Sequence, residues 1–140
     1  MALADELSEI GRRLAAREAE EAAKLQHART RAGEIHARVK VGIDAFRKAA
    51  GEAGAAHLEV ELSDPRIDDK HLHSVQFDVA RGRHRVIVTV KSKGAVTLVG
   101  PFKDGKEEGP CKRHDIDDDA GIDAGLSKVL ADFLEAGFAP

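Results

Sequence analysis

The sequence predicts an α+β protein: a long N-terminal helix, an antiparallel β-meander of four to five strands and a C-terminal helix, with both helices on one sheet face. Three observations carry this reading. Residues 3–50 contain no proline and are rich in Ala, Glu, Arg, Lys and Leu, all strong helix formers. Four segments between residues 58 and 99 alternate apolar and polar residues, as half-buried strands do. Residues 117–137 combine an acidic start, an apolar stripe of helical period and a terminal glycine.

The long helix comes first. Glu20 with Lys24 and Glu34 with Arg38 stand one turn apart, each pair adding about 0.2–0.5 kcal/mol. Gly11, Gly33 and Gly42 each cost about 1 kcal/mol relative to Ala, and Gly33 marks a place for a bend. Unbroken, the span would be about 70 Å long, more than a domain of this size is wide. Leu3, Leu7, Ile10 and Leu14 form a heptad seam. A step of eleven residues then leads to Leu25, a stutter in coiled-coil terms. Ile35, Val39, Ile43 and Phe46 are expected to pack on the sheet. Residues 1–32 are therefore expected to project as a possible coiled coil from a two-layer α+β domain of residues 33–140.

In the meander the inward sets are Leu58, Val60 and Leu62; Val75, Phe77 and Val79; Val86, Val88 and Val90; and Val96 with Leu98. Arg81-Gly82 is a two-residue turn candidate. It would pair Phe77 with Val86 and Val75 with Val88, and set Asp78 opposite Arg85. Ser92-Lys93-Gly94 fits a three-residue loop that pairs Val90 with Val96 and Thr89 with Thr97. Asp104-Gly105 would fold a fifth strand, around Glu108–Arg113, onto the fourth. Cys111 would then face Leu98, and Pro110 confines this strand to the edge. The outer face is polar except for Ile87 opposite Val99, a small apolar patch.

Asp117, Asp118 and Asp119 suit the N-cap and the positive end of a closing helix. Ile122, Leu126, Val129, Leu130, Phe133 and Leu134 form its apolar stripe, and Gly137 suits its C-cap.

Charge and composition narrow the functional classes. The formal net charge is −3. Residues 116–140 hold one base, Lys128, against Asp117, Asp118, Asp119, Asp123, Asp132 and Glu135. A nucleic-acid binder should show a basic excess, and five Phe with no Trp or Tyr provide few stacking faces. The single cysteine, Cys111, allows no intramolecular disulfide and fits a reducing cytoplasm. No apolar run reaches the length of a membrane span.

Few residues suggest chemistry. His71 and His73 share a strand face after Asp68 and Asp69, with His84 on the same face near the hairpin's far end, but their spacing matches no metal motif. Residues 115–126 resemble a calcium loop only superficially, because Ala120 and Leu126 stand where Gly and Glu are required. Gly100 to Lys106 has phosphate-loop spacing, but Glu107 replaces the hydroxyl residue. Cys111 precedes Lys112, Arg113 and His114, yet it is expected to be a packed structural cysteine. No catalytic residue, metal or cofactor is expected.

The leading expectation is a non-enzymatic protein-interaction module. It would self-associate, most simply as a homodimer, through Leu3, Leu7, Ile10, Leu14 and Leu25, with Ile87 and Val99 as a second surface. The alternative is a small-ligand or nucleic-acid binder that contacts anions through Arg81, Arg83 and Arg85 on the basic hairpin turns.

Overall fold

The computed structural model describes residues 2–68, 73–105 and 109–140. Helix α1 spans Ala2–Glu52. Strands β1 (Glu61–Leu62), β2 (Arg66–Ile67), β3 (Ser74–Arg81), β4 (His84–Lys91), β5 (Ala95–Lys103) and β6 (Cys111–Asp115) follow, and α2 spans Asp119–Gly137. The sheet is antiparallel with order β1-β3-β4-β5-β6, and β2 shares the β3 edge with β1. The predicted α+β architecture is therefore the observed one.

Both helices cover one sheet face, α1 over β3 and β4, α2 over β4 and β5. Between them and the sheet lies one core. Phe77, Val79, Val86, Val88, Val90, Val96 and Leu98 enter it from the strands. Ile35, Val39 and Ile43 enter from α1, and Ile122, Leu126, Val129 and Phe133 from α2. Each set has the period of its element, two in the strands and about 3.6 in the helices.

α1 runs through Gly33 without a break. Core contact also starts before residue 33: Leu25 packs against the core, and Ala28 and Ala32 are fully buried. The small side chains of those alanines let the helix lie close to the sheet. Lys24 pairs with Glu21 at 3.7 Å, where the sequence pointed to Glu20. Arg38 crosses to Asp119 and Asp123 at 3.2 and 3.0 Å, while Glu34 bonds Arg31 at 2.9 Å.

Two expected registers differ. Arg81 pairs with His84, so the two turn residues are Gly82 and Arg83. Phe77 consequently faces Val88, Val75 faces Val90, and Asp78 faces Ile87. Gly82 takes φ +57°, and among the described residues only glycines have positive φ. That is the pattern of a turn needing glycine first, whereas Arg81-Gly82 would require the unfavourable sign of φ at arginine. The shift is two residues, so every side chain keeps its predicted face.

The second difference is one residue and does change faces. Cys111 pairs with Val99, not Leu98. It stands on the outer face and is exposed, so it is not a packed structural cysteine. Gly100 explains the local irregularity. It has φ +128°, and a Cβ there would lie 2.8 Å from the Arg85 carbonyl oxygen. The register slips between Arg85 and Ile87 at this close approach. Strand β6 begins after Pro110 and ends at Asp115. The loop between Ser92 and Gly94 and the pairs it sets, Val90 with Val96 and Thr89 with Thr97, occur as expected.

The first predicted strand is reduced to Glu61–Leu62, with Val60 buried just before it. At the other end, Asp118 caps α2 by accepting from the Gly121 amide at 3.0 Å. The helix continues through Gly137, and Phe138 is its C-cap. Phe138 lies 5.7 Å, ring centre to ring centre, from Phe46, tying the C-terminal ends of the two helices together.

Candidate functional site

Among the described residues, the start of α1 carries no cover over its apolar side chains. Leu3, Leu7, Ile10 and Leu14 are 62%, 58%, 39% and 46% exposed. Residues 2–24 extend about 34 Å ahead of Leu25 at the rise of an α-helix. Ala-rich and charge-laced sequence keeps the segment helical. Its stripe stays exposed.

That stripe has a definite direction. An α-helix advances about 100° per residue, so the eleven residues from Leu14 to Leu25 make about three turns. Leu3, Leu7, Ile10 and Leu14 therefore share the face of Leu25, Ala32, Val39 and Ile43. The two apolar runs lie on one face of the helix, with the charged Arg17 and Glu21 between them; the run from Ala28 onward is buried on the sheet and the run from Leu3 to Leu14 is exposed. Of the five expected seam residues, Leu25 belongs to the core boundary, since it packs on the sheet's own side chains. The other four form the exposed arm.

A clamp sits just behind the arm. Arg31 is 7% exposed although it lies on a helix of high charge. Its Nε donates to the Ile116 carbonyl at 2.8 Å, and its Nη1 to Glu34 at 2.9 Å. Its Nη2 donates to Asp119, which also accepts from Arg38 at 3.2 Å. Burial opposes the Arg31 charge, but the carboxylates of Asp119 and Glu34 outweigh it, so its pKa is raised. Hydrogen bonds from Arg31 and Arg38 hold the Asp119 carboxyl below its ordinary value. The clamp fixes α1 to the junction of β6 and α2. Nothing in the spacing of Arg31 announces it, because its main partner is a backbone carbonyl 85 residues away.

The outer sheet face is flatter. Ile87 and Val99 are half-buried cross-strand neighbours, and exposed Cys111 extends their row onto β6. Asp78 closes the row on β3. Phe102 pairs with Arg85 beside it. The patch is small and bordered by charge.

The basic turns are largely committed to internal partners. Arg85 bonds Asp78 and reaches Asp104 at 3.1 Å. Asp78, almost fully buried, also accepts from Ser63 at 2.6 Å and Arg66 at 3.2 Å. Arg83 donates to the Asp104 carbonyl at 2.6 Å. Arg81 donates to the Gly137 and Glu59 carbonyls at 3.2 and 3.0 Å, and its guanidinium lies 3.8 Å from the centre of the Phe138 ring. A phosphate at this tip would compete with carboxylates and carbonyls already in place. The Asp78–Arg85 pair anticipated from the sequence forms, but diagonally across the strands.

Among the described residues no group of three or more His, Cys, Asp or Glu side chains could hold a metal ion. Asp69 and His71 lie outside the described residues; His73 stands 4.0 Å from Glu21. Among them, too, no helix is long and apolar enough to cross a membrane. An open groove of about 420 Å³ runs between α1 and α2, lined by Val39, Gly42, Ile43, Leu126, Leu130 and Leu134. Its mouth carries the Arg38–Asp123 pair. No protein-family model matches the chain, and neither a curated protein nor a solved structure gives a significant match.

Proposed function

We propose that the chain is a non-enzymatic interaction module that self-associates, most simply as a homodimer, through the front of α1. The observation that carries this reading is the bare stripe of Leu3, Leu7, Ile10 and Leu14. Four large apolar side chains aligned on one face of a charged helix are a specific arrangement, unlike apolar residues scattered singly over a surface. An isolated helix of this length is marginal in water, and a second helix laid along the stripe would supply the missing contacts. The row of Ile87, Val99 and Cys111 is a second, smaller contact surface for a protein partner. A reducing, cytoplasmic setting suits a chain whose one cysteine is exposed.

The test uses the full chain. Light scattering of the wild type should give twice the 15.0 kDa chain mass. Leu7→Glu with Ile10→Glu should return a monomer with an unchanged folded body, because both positions are exposed. A monomeric wild type across the accessible concentration range would refute the reading.

A further inference from the structure

We propose that two copies associate as an antiparallel pair of arms, with Leu3 of each copy beside Leu14 of the other and Leu7 beside Ile10. This rests on the self-association reading and adds its orientation and register. The arrangement follows from the two apolar runs sharing one face of an unbroken helix.

Packed helices lie about 8–10 Å apart. A parallel partner would run at that distance along the apolar face of α1, past Leu14 and on toward Phe46. From Ala28 onward that space is filled by the chain's own sheet, against which Ala28, Ala32 and Ile35 are completely buried. The helix is unbroken from Ala2 to Glu52, so it has no hinge at which two parallel arms could splay before reaching their sheets. Parallel pairing would drive each helix through the other copy's body.

An antiparallel pair avoids this collision. Matching Leu3 to Leu14 and Leu7 to Ile10 sets Ala2 of the second copy beside Ala15. About six residues, or about 9 Å of helix, then separate that end from Glu21, where His73 of the body first comes within 4.0 Å of α1. The bodies come to lie at opposite ends of the assembly. The contact is its own mate under a two-fold axis, as a closed dimer requires.

The flanks agree with this register. Glu6 and Arg13 precede Leu7 and Leu14 and border one side of the stripe. Ala4 and Gly11 follow Leu3 and Ile10 and border the other. In an antiparallel pair like flanks meet. Glu6 of each copy then faces Arg13 of the other, giving two opposite-charge pairs by symmetry. On the other side Ala4 meets Gly11, and these small residues leave room for the helices to approach.

The experiment uses the full chain with Cys111→Ser, so that only introduced thiols react. Leu3→Cys and Leu14→Cys are made separately; they alter the outer layers and leave Leu7 and Ile10 in place. Under mild oxidation, mixing the two variants should give a mixed disulfide, several-fold more abundant than either variant's self-linked form. Small-angle scattering of the wild type should show a maximum dimension of about 130 Å, the span from Glu52 to Glu52 across the shared arm. If Leu14→Cys links to itself as readily as to Leu3→Cys, the antiparallel register is wrong and self-association stands. A dimeric mass with no cross-link of either kind also overturns the register. A monomeric mass overturns both the register and the reading beneath it.

Discussion

The front and back of α1 bear the same kind of stripe on the same face, yet only the back is covered. Behind Leu25 the stripe contains Ala28, Ala32, Ile35 and Val39, small or β-branched residues fitted closely to the sheet. In front it consists of leucines and one isoleucine, larger side chains left in the open. The apolar period therefore identifies which face seeks cover but not what provides it. Residue size marks only the point of closest approach, where Ala28 and Ala32 meet the sheet; Ile35 and Ile43 behind them are as large as the exposed leucines in front.

The largest expected effect separates the two regions directly. Ile35→Ala should destabilise the fold by about 2–5 kcal/mol, because it opens space in a fully buried site. Leu7→Ala should change unfolding of the isolated chain by less than about 0.5 kcal/mol, as an exposed substitution does. Denaturant titration at a concentration that keeps the chain monomeric would check both. Equal losses would mean that the front is folded into the body after all.

A smaller effect concerns the clamp that divides the regions. The Asp119 carboxyl is held below its ordinary value of 3.8, chiefly by hydrogen bonds from Arg31 and Arg38. Its stabilising contribution is therefore fully present above pH 3.8 and is lost as pH falls through the depressed native value. Asp119→Asn should lower stability at pH 7 and flatten this part of the acid-unfolding curve. Added salt should narrow the difference between wild type and variant, because the carboxylate is largely exposed.

The smallest effect is a gain. Gly33 has open space where a Cβ would stand and no positive φ. Gly33→Ala should raise stability by about 0.5–1 kcal/mol, measured by thermal or denaturant unfolding. A loss would mean that the helix bends there in solution.

Much of the body was legible because faces are more robust than registers. Moving the first hairpin turn from Arg81-Gly82 to Gly82-Arg83 altered every pairing between β3 and β4, yet Phe77 and Val86 stayed inside. The parity of a strand survives a two-residue error. Cys111 shows the opposite case: one residue of difference in the β5–β6 register moved it from inside to outside. The short β1 and β2 were harder to read, since pairing on β3 defines them and their own sequence barely does. Phe138 and Arg31 act through distant elements and left no local signal. For the proposed contact surface, Leu3, Leu7, Ile10 and Leu14 were apparent from spacing. The limit of the arm was not, because Ala28 and Ala32 signal burial only once the sheet beneath them is known.

The Arg31 contacts have a mechanical consequence. They fasten the helix to the corner where β6 turns into α2, a single turn or two behind the point where the arm leaves the body. A force applied near Leu3 would act on this corner as on a fulcrum, concentrating torque at the Ile116 carbonyl and Asp119. The arm is thus a stiff handle on the domain, and whatever grips it governs the attitude of the whole molecule.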